Sequence, residues 1–314
     1  MNSEEASAGI IEKLEVAGYR AAFLPYGAVE RIKEIYGGLA KGNVDVQYIM
    51  SAVSHFQGNQ PPDIKFVPLS FLVAVLPGDN AQIVLNAGGR RAALPVPPPF
   101  VSPDERTRFD ATMEDAMKGR ETAHTRGVSQ KLLAVLSGLA RFGRNNICYV
   151  EGLGSYFNLR AFYTDVPCGG GNETRPMAFL DGCGTCGLCA RNCPTGAIGA
   201  NPVIDASRCL SQYNEVEGEI PSWIPASAHH TIISCLRCQE ACPANRPLAD
   251  MRLHSLELSE TETRELLSQD HNAIPPELKN KILGFGLDED FLKIAGRNAR
   301  LALGNLTGAP IGME

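Results

Sequence analysis

The spacing of its cysteines constrains this chain more than any other feature of its sequence. Four cysteines stand at positions 183, 186, 189 and 193, and Pro194 follows the last of them. Adding 49 to 186, 189 and 193 gives 235, 238 and 242, which are again cysteines and again end on a proline. The same shift takes Cys183 to Ile232, so the second copy lacks its first cysteine. The chain therefore holds an internal repeat whose chemistry is carried by sulfur.

The first run has the C-x2-C-x2-C-x3-C-P spacing of bacterial two-cluster ferredoxins. Three closely spaced thiolates wrap one face of a cubane, and the fourth, steered away by its proline, ligates the other cluster. Gly182, Gly184 and Gly187 allow positive φ and let backbone N–H groups point at sulfur. The sequence thus predicts two [4Fe-4S] clusters and one-electron transport. The expected ligands are Cys183, Cys186, Cys189 and Cys242 for the first cluster, and Cys193, Cys209, Cys235 and Cys238 for the second.

Two alternatives stay open at the level of the residues. Eight cysteines could instead hold two structural zinc ions, although zinc ribbons use paired C-x2-C knuckles and not a triple run. Cys209 replaces the missing eighth ligand, with Cys168 as its rival. Cys148 stands in an apolar segment and is expected to be core packing. The pair His229-His230 is expected to be a solvated surface pair, close enough in sequence to Cys235 to influence that cluster.

Charge and hydropathy exclude several classes of protein. The chain has 29 basic and 35 acidic residues, a net charge of −6, which argues against a broad electrostatic grip on nucleic acid. No apolar stretch approaches the roughly 20 residues of a membrane span. No export signal is visible at the N-terminus, so we expect a cytoplasmic protein with no membrane partner and no disulfide framework.

Alternating helical and strand patterns predict an α+β protein. We expect an α/β layer domain over 1–175, a ferredoxin-like double-cluster domain over 176–247 and a C-terminal helical segment over 248–314. Helices are predicted over 6–17, 28–36, 102–118, 129–142, 248–268, 276–284 and 288–303, and strands over 19–25, 66–76, 82–85, 146–151 and 156–163.

Several segments together resemble a known family. The stretches GCGTCGLCARNCPTGAI (182–198), VIDASRCLSQY (203–213) and SCLRCQEACPANRP (234–247) resemble epoxyqueuosine reductase. LLAVLSGLARFGRNN (132–146) and GSYFNLRAFYTDVP (154–167) resemble the cobalamin-binding core of that enzyme and of the related reductive dehalogenases. GRNARLALGN (296–305) resembles the helix that follows the cluster domain.

The resemblance implies a second cofactor and a set of residues for it. It implies a nitroreductase-like α/β domain that binds cobalamin, with electrons passing from an outer cluster through an inner one to cobalt. A low-potential donor of the ferredoxin or flavodoxin type would supply them. The implied corrinoid-lining residues are Gly138, Arg144, Asn146, Ser155, Phe157, Arg160, Ser211 and Gln212; packing is the alternative role for Gly138 and Phe157.

The chain departs from the family where a proton donor is expected. The tRNA enzyme uses an aspartate just before the helix that here begins near Ser129, and the matching stretch is His124-Thr125-Arg126-Gly127. His124 is the candidate general acid, with a surface or capping histidine as the alternative. The chain also ends at 314 without the helical repeats that bind the anticodon arm. Together with the acidic balance, these departures argue against tRNA as a partner.

Three functions follow from these features. The first is a corrinoid-dependent reductase acting on a small-molecule or corrinoid-linked substrate. The second is an electron-transfer protein that serves a separate corrinoid or redox partner. The third is epoxyqueuosine reduction in a minimal form. We expect the first of them.

Overall fold

The computed structural model describes residues 3–40, 64–98, 100–125, 128–168, 174–199, 203–248, 251–268 and 270–307. The fold is mixed α+β, as predicted. The chain divides into two compact units, one formed by 1–77 with 104–186 and the other by 78–103 with 187–314. Each unit thus combines two separate stretches of sequence. The contiguous three-part division expected from the sequence stays a prediction.

The first unit is built on a four-stranded antiparallel sheet. Its strands are β1 (Arg20–Pro25), β2 (Ser70–Pro77), β5 (Thr122–His124) and β8 (Phe157–Thr164), in the order β1-β2-β8-β5. Strand β2 is central and almost wholly buried, as its continuous apolar run SFLVAVLP requires. The helices of this unit are α1 (Ser3–Val16), α2 (Ala28–Ala40), α3 (Pro103–Ala116) and α4 (Gln130–Leu136).

The sheet of the first unit buries both faces, and strand periodicity assigns each residue to one of them. Phe71, Phe157 and Ala161 join the core that contains α2 and α4. Leu72 and Phe162 join a second core with α1 and α3. Residues one position apart on β8 therefore face opposite sides.

Helix α4 is shorter than the predicted helix over 129–142. Ser129 caps its N-terminus through Leu132 N–H, and the helix ends at Leu136 because Gly138 adopts φ +84°. The chain then forms the short hairpin of β6 (Arg141–Phe142) and β7 (Cys148–Tyr149). The apolar run through 142 has helical spacing, but a left-handed glycine ends a helix even when the residues after it are apolar.

The second unit is built on a three-stranded sheet in the order β4-β3-β9. Its strands are β3 (Asn80–Ala87), β4 (Arg90–Val96) and β9 (Leu253–Glu257). Strands β3 and β4 form a hairpin through Gly88 and Gly89, whereas β9 pairs with β3 in parallel. The helix predicted over 248–268 is therefore wrong in its first half.

Three C-terminal helices complete this core, namely α9 (Glu260–Leu266), α10 (Pro276–Phe285) and α11 (Glu289–Thr307). Ser259 and Glu262 form a capping box at the start of α9. Buried residues from the sheet and from the three helices, among them Ile83, Leu94, Ile282 and Phe291, form one cluster. No helix in the described part of the chain combines the length and apolar character needed to cross a membrane.

Candidate iron-sulfur site

The first cysteine run folds into two short helical turns, α5 (Cys183–Cys186) and α6 (Leu188–Arg191). Gly182 and Gly187 precede them at φ +79° and +64°, a region that favours glycine. Because residues three apart lie on one side of a helical turn, Cys183 and Cys186 share a side. The boundary between the two compact units falls directly after Cys186. How this pair combines with the later cysteines remains the prediction made from the repeat.

Cys193 occupies a polar pocket of backbone and hydroxyl groups. Burial raises the pKa of its thiol, but hydrogen bonds from Thr195 and from the backbones of Ala197 and Ile198 outweigh it and leave the pKa below its ordinary value. The Thr195 Oγ1 atom lies 3.6 Å from the sulfur. Arg208 in turn donates from Nε to the Thr195 carbonyl at 2.9 Å. Such donors stabilise a thiolate, the form that ligates a metal.

Three predicted ligands of the second cluster come together. Burial is the main cause that raises the pKa of the Cys235 thiol to about 12, and the charges of Cys209 and Cys193 contribute to the same shift. These charge effects place Cys209 and Cys193 near Cys235. Cys209 lies between a short 3-10 turn (Ala206–Arg208) and α7 (Leu210–Asn214), and Cys238 lies on the short helix α8 (Arg237–Glu240). The choice of Cys209 over Cys168 as the eighth ligand stays a prediction.

The backbone before Cys235 is held by buried side chains that the sequence analysis did not identify. Ser234 adopts a left-handed φ of +55°, and its carbonyl accepts hydrogen bonds from Asn214 Nδ2 at 2.8 Å and from Thr231 Oγ1 at 3.0 Å. Asn298 of α11 donates to the carbonyls of Asn214 at 2.8 Å and of Ile232 at 3.0 Å. The C-terminal helix thus ties together the segment that follows Cys209 and the segment that precedes Cys235.

The expectation that His229-His230 is a solvated pair is wrong. His229 is only 2% exposed, and His230 is half-buried. His230 Nε2 accepts from the Leu236 N–H at 3.2 Å, and its Nδ1 lies 2.9 Å from the Ala228 carbonyl. The imidazole therefore bridges the chain before and after Cys235.

Cys148 lies apart from the cluster segments, in the core of the first unit. Burial raises the pKa of its thiol to about 12, with a smaller opposing effect from Lys131. A buried thiol held protonated behaves as packing, which agrees with the expectation from the sequence.

The structure gives several implied corrinoid-lining residues contacts within the protein. Arg144 donates to the carbonyls of Cys183 and Gly184. Asn146 accepts from Lys131 Nζ, and Phe157 is buried in the core. Ser155 is buried, and a Cβ at Gly138 would meet the side chain of Arg175. Ser211 and Gln212 lie on α7 beside Cys209, in the second unit.

Arg160 is the implied cobalamin residue whose environment fits a ligand. It lies on β8, on the face opposite Phe157, and its Nε atom is buried with no hydrogen-bond partner among the residues that the structure describes. A buried guanidinium nitrogen without a protein acceptor is costly. A ligand that brings its own acceptors, such as the amide-bearing corrin of cobalamin, would remove that cost.

His124 ends the edge strand β5 and is exposed. It pairs with Phe162 of β8, and the two rings lie 4.5 Å apart. Since Phe162 and Arg160 are two positions apart on one strand, His124 and Arg160 belong to the same face of the sheet. The neighbouring Arg126 and Gly127 lie outside the described residues.

The donor set and spacing define a double-cluster iron-sulfur protein. Residues 182–245 match the family model described as a 4Fe-4S double cluster binding domain. Across the described residues, no three His, Cys, Asp or Glu side chains stand close enough to hold a single metal ion. The choice of iron over zinc rests on the family match, which confirms two [4Fe-4S] clusters.

The named relatives of this chain are epoxyqueuosine reductases, which confirms the resemblance. The enzyme of Escherichia coli (strain K12) is 31% identical over 180 residues, covering 57% of this chain and 43% of that protein. The enzyme of Cyclobacterium marinum is 30% identical over 151 residues, covering 47% of each. The aligned part of the chain therefore spans less than half of these relatives.

Solved structures share the fold over almost the whole chain. The epoxyqueuosine reductase of Bacillus subtilis, which has a catalytic aspartate on a loop, superposes with a TM-score of 0.64 at 18% identity over 98% of this chain and 83% of that one. An epoxyqueuosine reductase with an epoxyqueuosine-modified tRNA-Tyr stem loop gives 0.63 at 20% identity, over 97% and 82%.

The expectation that tRNA is an unlikely partner is wrong. A neighbour of the same fold is seen with an epoxyqueuosine-modified tRNA stem loop, and the curated relatives carry the name epoxyqueuosine reductase. An acidic balance of the whole chain does not exclude a local surface for RNA. These findings support the epoxyqueuosine alternative better than the reductase of a small substrate. The cytoplasmic location stays a prediction.

Proposed function

We propose that this chain is an iron-sulfur reductase that removes the epoxide oxygen of epoxyqueuosine in tRNA. The observation that carries the proposal is the extent of the similarity. The cluster domain occupies 182–245, whereas the match to the Escherichia coli enzyme covers 57% of the chain and therefore extends well beyond the cluster segment. A plain electron carrier needs only the cluster segment.

The chemistry of the substrate agrees with two clusters. Converting an epoxide to an alkene breaks both C–O bonds, consumes two electrons and two protons, and releases the oxygen as water. A [4Fe-4S] cluster passes one electron at a time, so the clusters would deliver the pair in succession. The protein must also supply protons at the departing oxygen.

Cobalamin is the second cofactor of the proposal. When bound, it would supply two-electron reducing chemistry at cobalt. Arg160 would donate its buried Nε to the corrin. Arg160→Leu removes the donor while keeping an apolar stem. We expect it to weaken cobalamin retention several-fold, measured from the visible absorption of the purified protein, with both clusters intact.

His124 is the proposed proton donor. It lies in the stretch 124–127 that matches the aspartate of the family, and on the face of the sheet that carries Arg160. The protonated imidazole would give its proton to the oxygen that leaves carbon. His124→Asp should retain turnover, whereas His124→Phe should lower the rate by about a hundred-fold, the usual contribution of a positioned acid.

A direct assay tests the proposed function. The protein, reconstituted with iron, sulfide and cobalamin under anaerobic conditions, is given a chemical reductant and tRNA that bears epoxyqueuosine. We expect mass spectrometry of the digested tRNA to show loss of one oxygen atom from the modified nucleoside. No turnover by protein that holds both clusters and cobalamin would overturn the proposal.

A further inference from the structure

The guanidinium of Arg144 donates hydrogen bonds to two backbone carbonyls of the first cysteine run. Its Nε and Nη2 atoms donate to the Cys183 carbonyl at 3.1 and 2.8 Å, and Nη2 also donates to the Gly184 carbonyl at 2.7 Å. The side chain is half-buried. A planar guanidinium that donates to two neighbouring carbonyls restricts both peptide groups, which a single flexible donor does not do.

The turn that carries Arg144 is itself held in place. Asn145 is buried, and its Nδ2 donates to the Tyr149 hydroxyl at 2.9 Å. Asn146 adopts φ +59°, and Lys131 Nζ donates to its carbonyl at 3.0 Å and to its Oδ1 at 2.9 Å. A Cβ at Gly143 would meet Asn145 Oδ1 and the Tyr149 ring at 2.6 Å, so only glycine fits. Arg144 therefore projects from a rigid support.

The segment that leads into Cys183 is paired with the same hairpin. Phe142 N–H donates to the Ala178 carbonyl at 2.8 Å, and Leu180 N–H donates to the Phe142 carbonyl at 2.9 Å. This parallel pairing carries the residues after Phe142 alongside the residues after Leu180. It thus places Arg144 opposite the start of the cysteine run.

We propose that Arg144 is a positioning residue for the cluster that Cys183 ligates. Because peptide groups are planar, holding the carbonyls of Cys183 and Gly184 fixes where the N–H groups of Gly184 and Thr185 point. The fixed positive charge near the cluster also favours its reduced, more negative form. Arg144 therefore contributes to both the stability and the reduction potential of that cluster. The inference rests on the proposed role of Cys183 as a ligand.

A charge-matched pair of variants tests this role. Arg144→Gln removes both the positive charge and the guanidinium that donates to two carbonyls. Arg141 lies on the same hairpin, and Arg141→Gln removes an equal charge from its exposed ion pair with Asp181. Redox titration of the anaerobically reconstituted protein, followed by electron paramagnetic resonance, reports both clusters. We expect Arg144→Gln to lower the midpoint potential of one cluster or to lose about half of the iron. We expect Arg141→Gln to match the unsubstituted protein, because exposed ion pairs contribute little.

Arg144→Lys keeps the inference testable if Arg144→Gln does not fold. Lysine retains the positive charge but cannot hold two carbonyls at once as the planar guanidinium does. In Arg144→Lys, iron from one cluster should therefore pass to a chelator several-fold faster than in Arg141→Lys. Potentials and iron release unchanged in Arg144→Gln and Arg144→Lys would overturn the inference. Cys183→Ser separates the two proposals. If it keeps both clusters, the ligand assignment fails. If it loses one cluster while the Arg144 variants change neither potential nor iron release, only the role of Arg144 fails.

Discussion

His230 accepts a hydrogen bond from the backbone N–H of Leu236, 3.2 Å from its Nε2 atom. Since Nε2 is the acceptor, Nδ1 carries the proton and donates to the Ala228 carbonyl. The neutral imidazole therefore closes a loop around Cys235. The position of the ring depends on its neutral form, which burial favours.

Removal of this bridge should loosen the second cluster. His230→Ala leaves the Leu236 N–H and the Ala228 carbonyl without their partner, a cost of about 1–3 kcal/mol in the free energy of unfolding. We expect faster loss of iron to a chelator, measured by absorbance near the cluster band. His230→Gln can donate and accept, so it should recover part of the difference. Equal iron release in all three proteins would contradict the bridging role.

The two buried histidines should make stability depend on pH. Burial is the main cause that lowers the pKa of both His229 and His230 from the ordinary value of 6.5. Below that pH the unfolded chain binds protons that the folded chain does not, so the free energy of unfolding falls as the pH drops toward the folded pKa values. Above pH 6.5 both states hold the histidines neutral, so this contribution to the free energy of unfolding is fully present. The double variant His229→Gln/His230→Gln should show a shallower decline between pH 7.5 and 5.5 in denaturant titrations.

The eighth ligand can be assigned by iron analysis. Cys209→Ala should lose iron from one cluster, because Cys209 lies close enough to Cys235 for their charges to interact. Cys148→Ala should keep the full iron content, since that thiol is buried in the core of the first unit. Cys168→Ala is the third arm of the test. Iron loss in Cys148→Ala or Cys168→Ala, but not in Cys209→Ala, would show that the ligand set is wrong.

Two glycines of α11 should respond in opposite directions to alanine. A Cβ at Gly296 would collide with the backbone carbonyl of Leu266 and would lie 2.9 Å from that of Ser268. Gly296→Ala should therefore lower the free energy of unfolding by about 1–3 kcal/mol, as overpacking does. Nothing lies within 4 Å of a Cβ at Gly304, so Gly304→Ala should raise it by about 0.5–1 kcal/mol. Thermal unfolding of the two variants provides the comparison.

The sequence alone determined the features that depend on near neighbours. The spacing of Cys183, Cys186 and Cys189 defines the cluster motif, and the constant offset to 235–242 identifies the repeat. Most helices and strands lie where their periodicity predicted them, including α1, α2 and β8. Gly138 also carried a local signal for the end of α4, which the apolar run through 142 outweighed in the prediction.

Tertiary structure decided the features that depend on partners distant in sequence. Strand β9 forms because residues 253–257 pair in parallel with residues 80–84 of β3. The hydrophobic pattern of residues 253–257 does not predict that pairing. His229 is buried because its segment packs near α11, and Arg144 meets Cys183 because Phe142 pairs with the chain at 178–180. The spacing of ligands along the chain is a local property of the backbone, whereas burial and hydrogen-bond partners depend on which distant segments pack together.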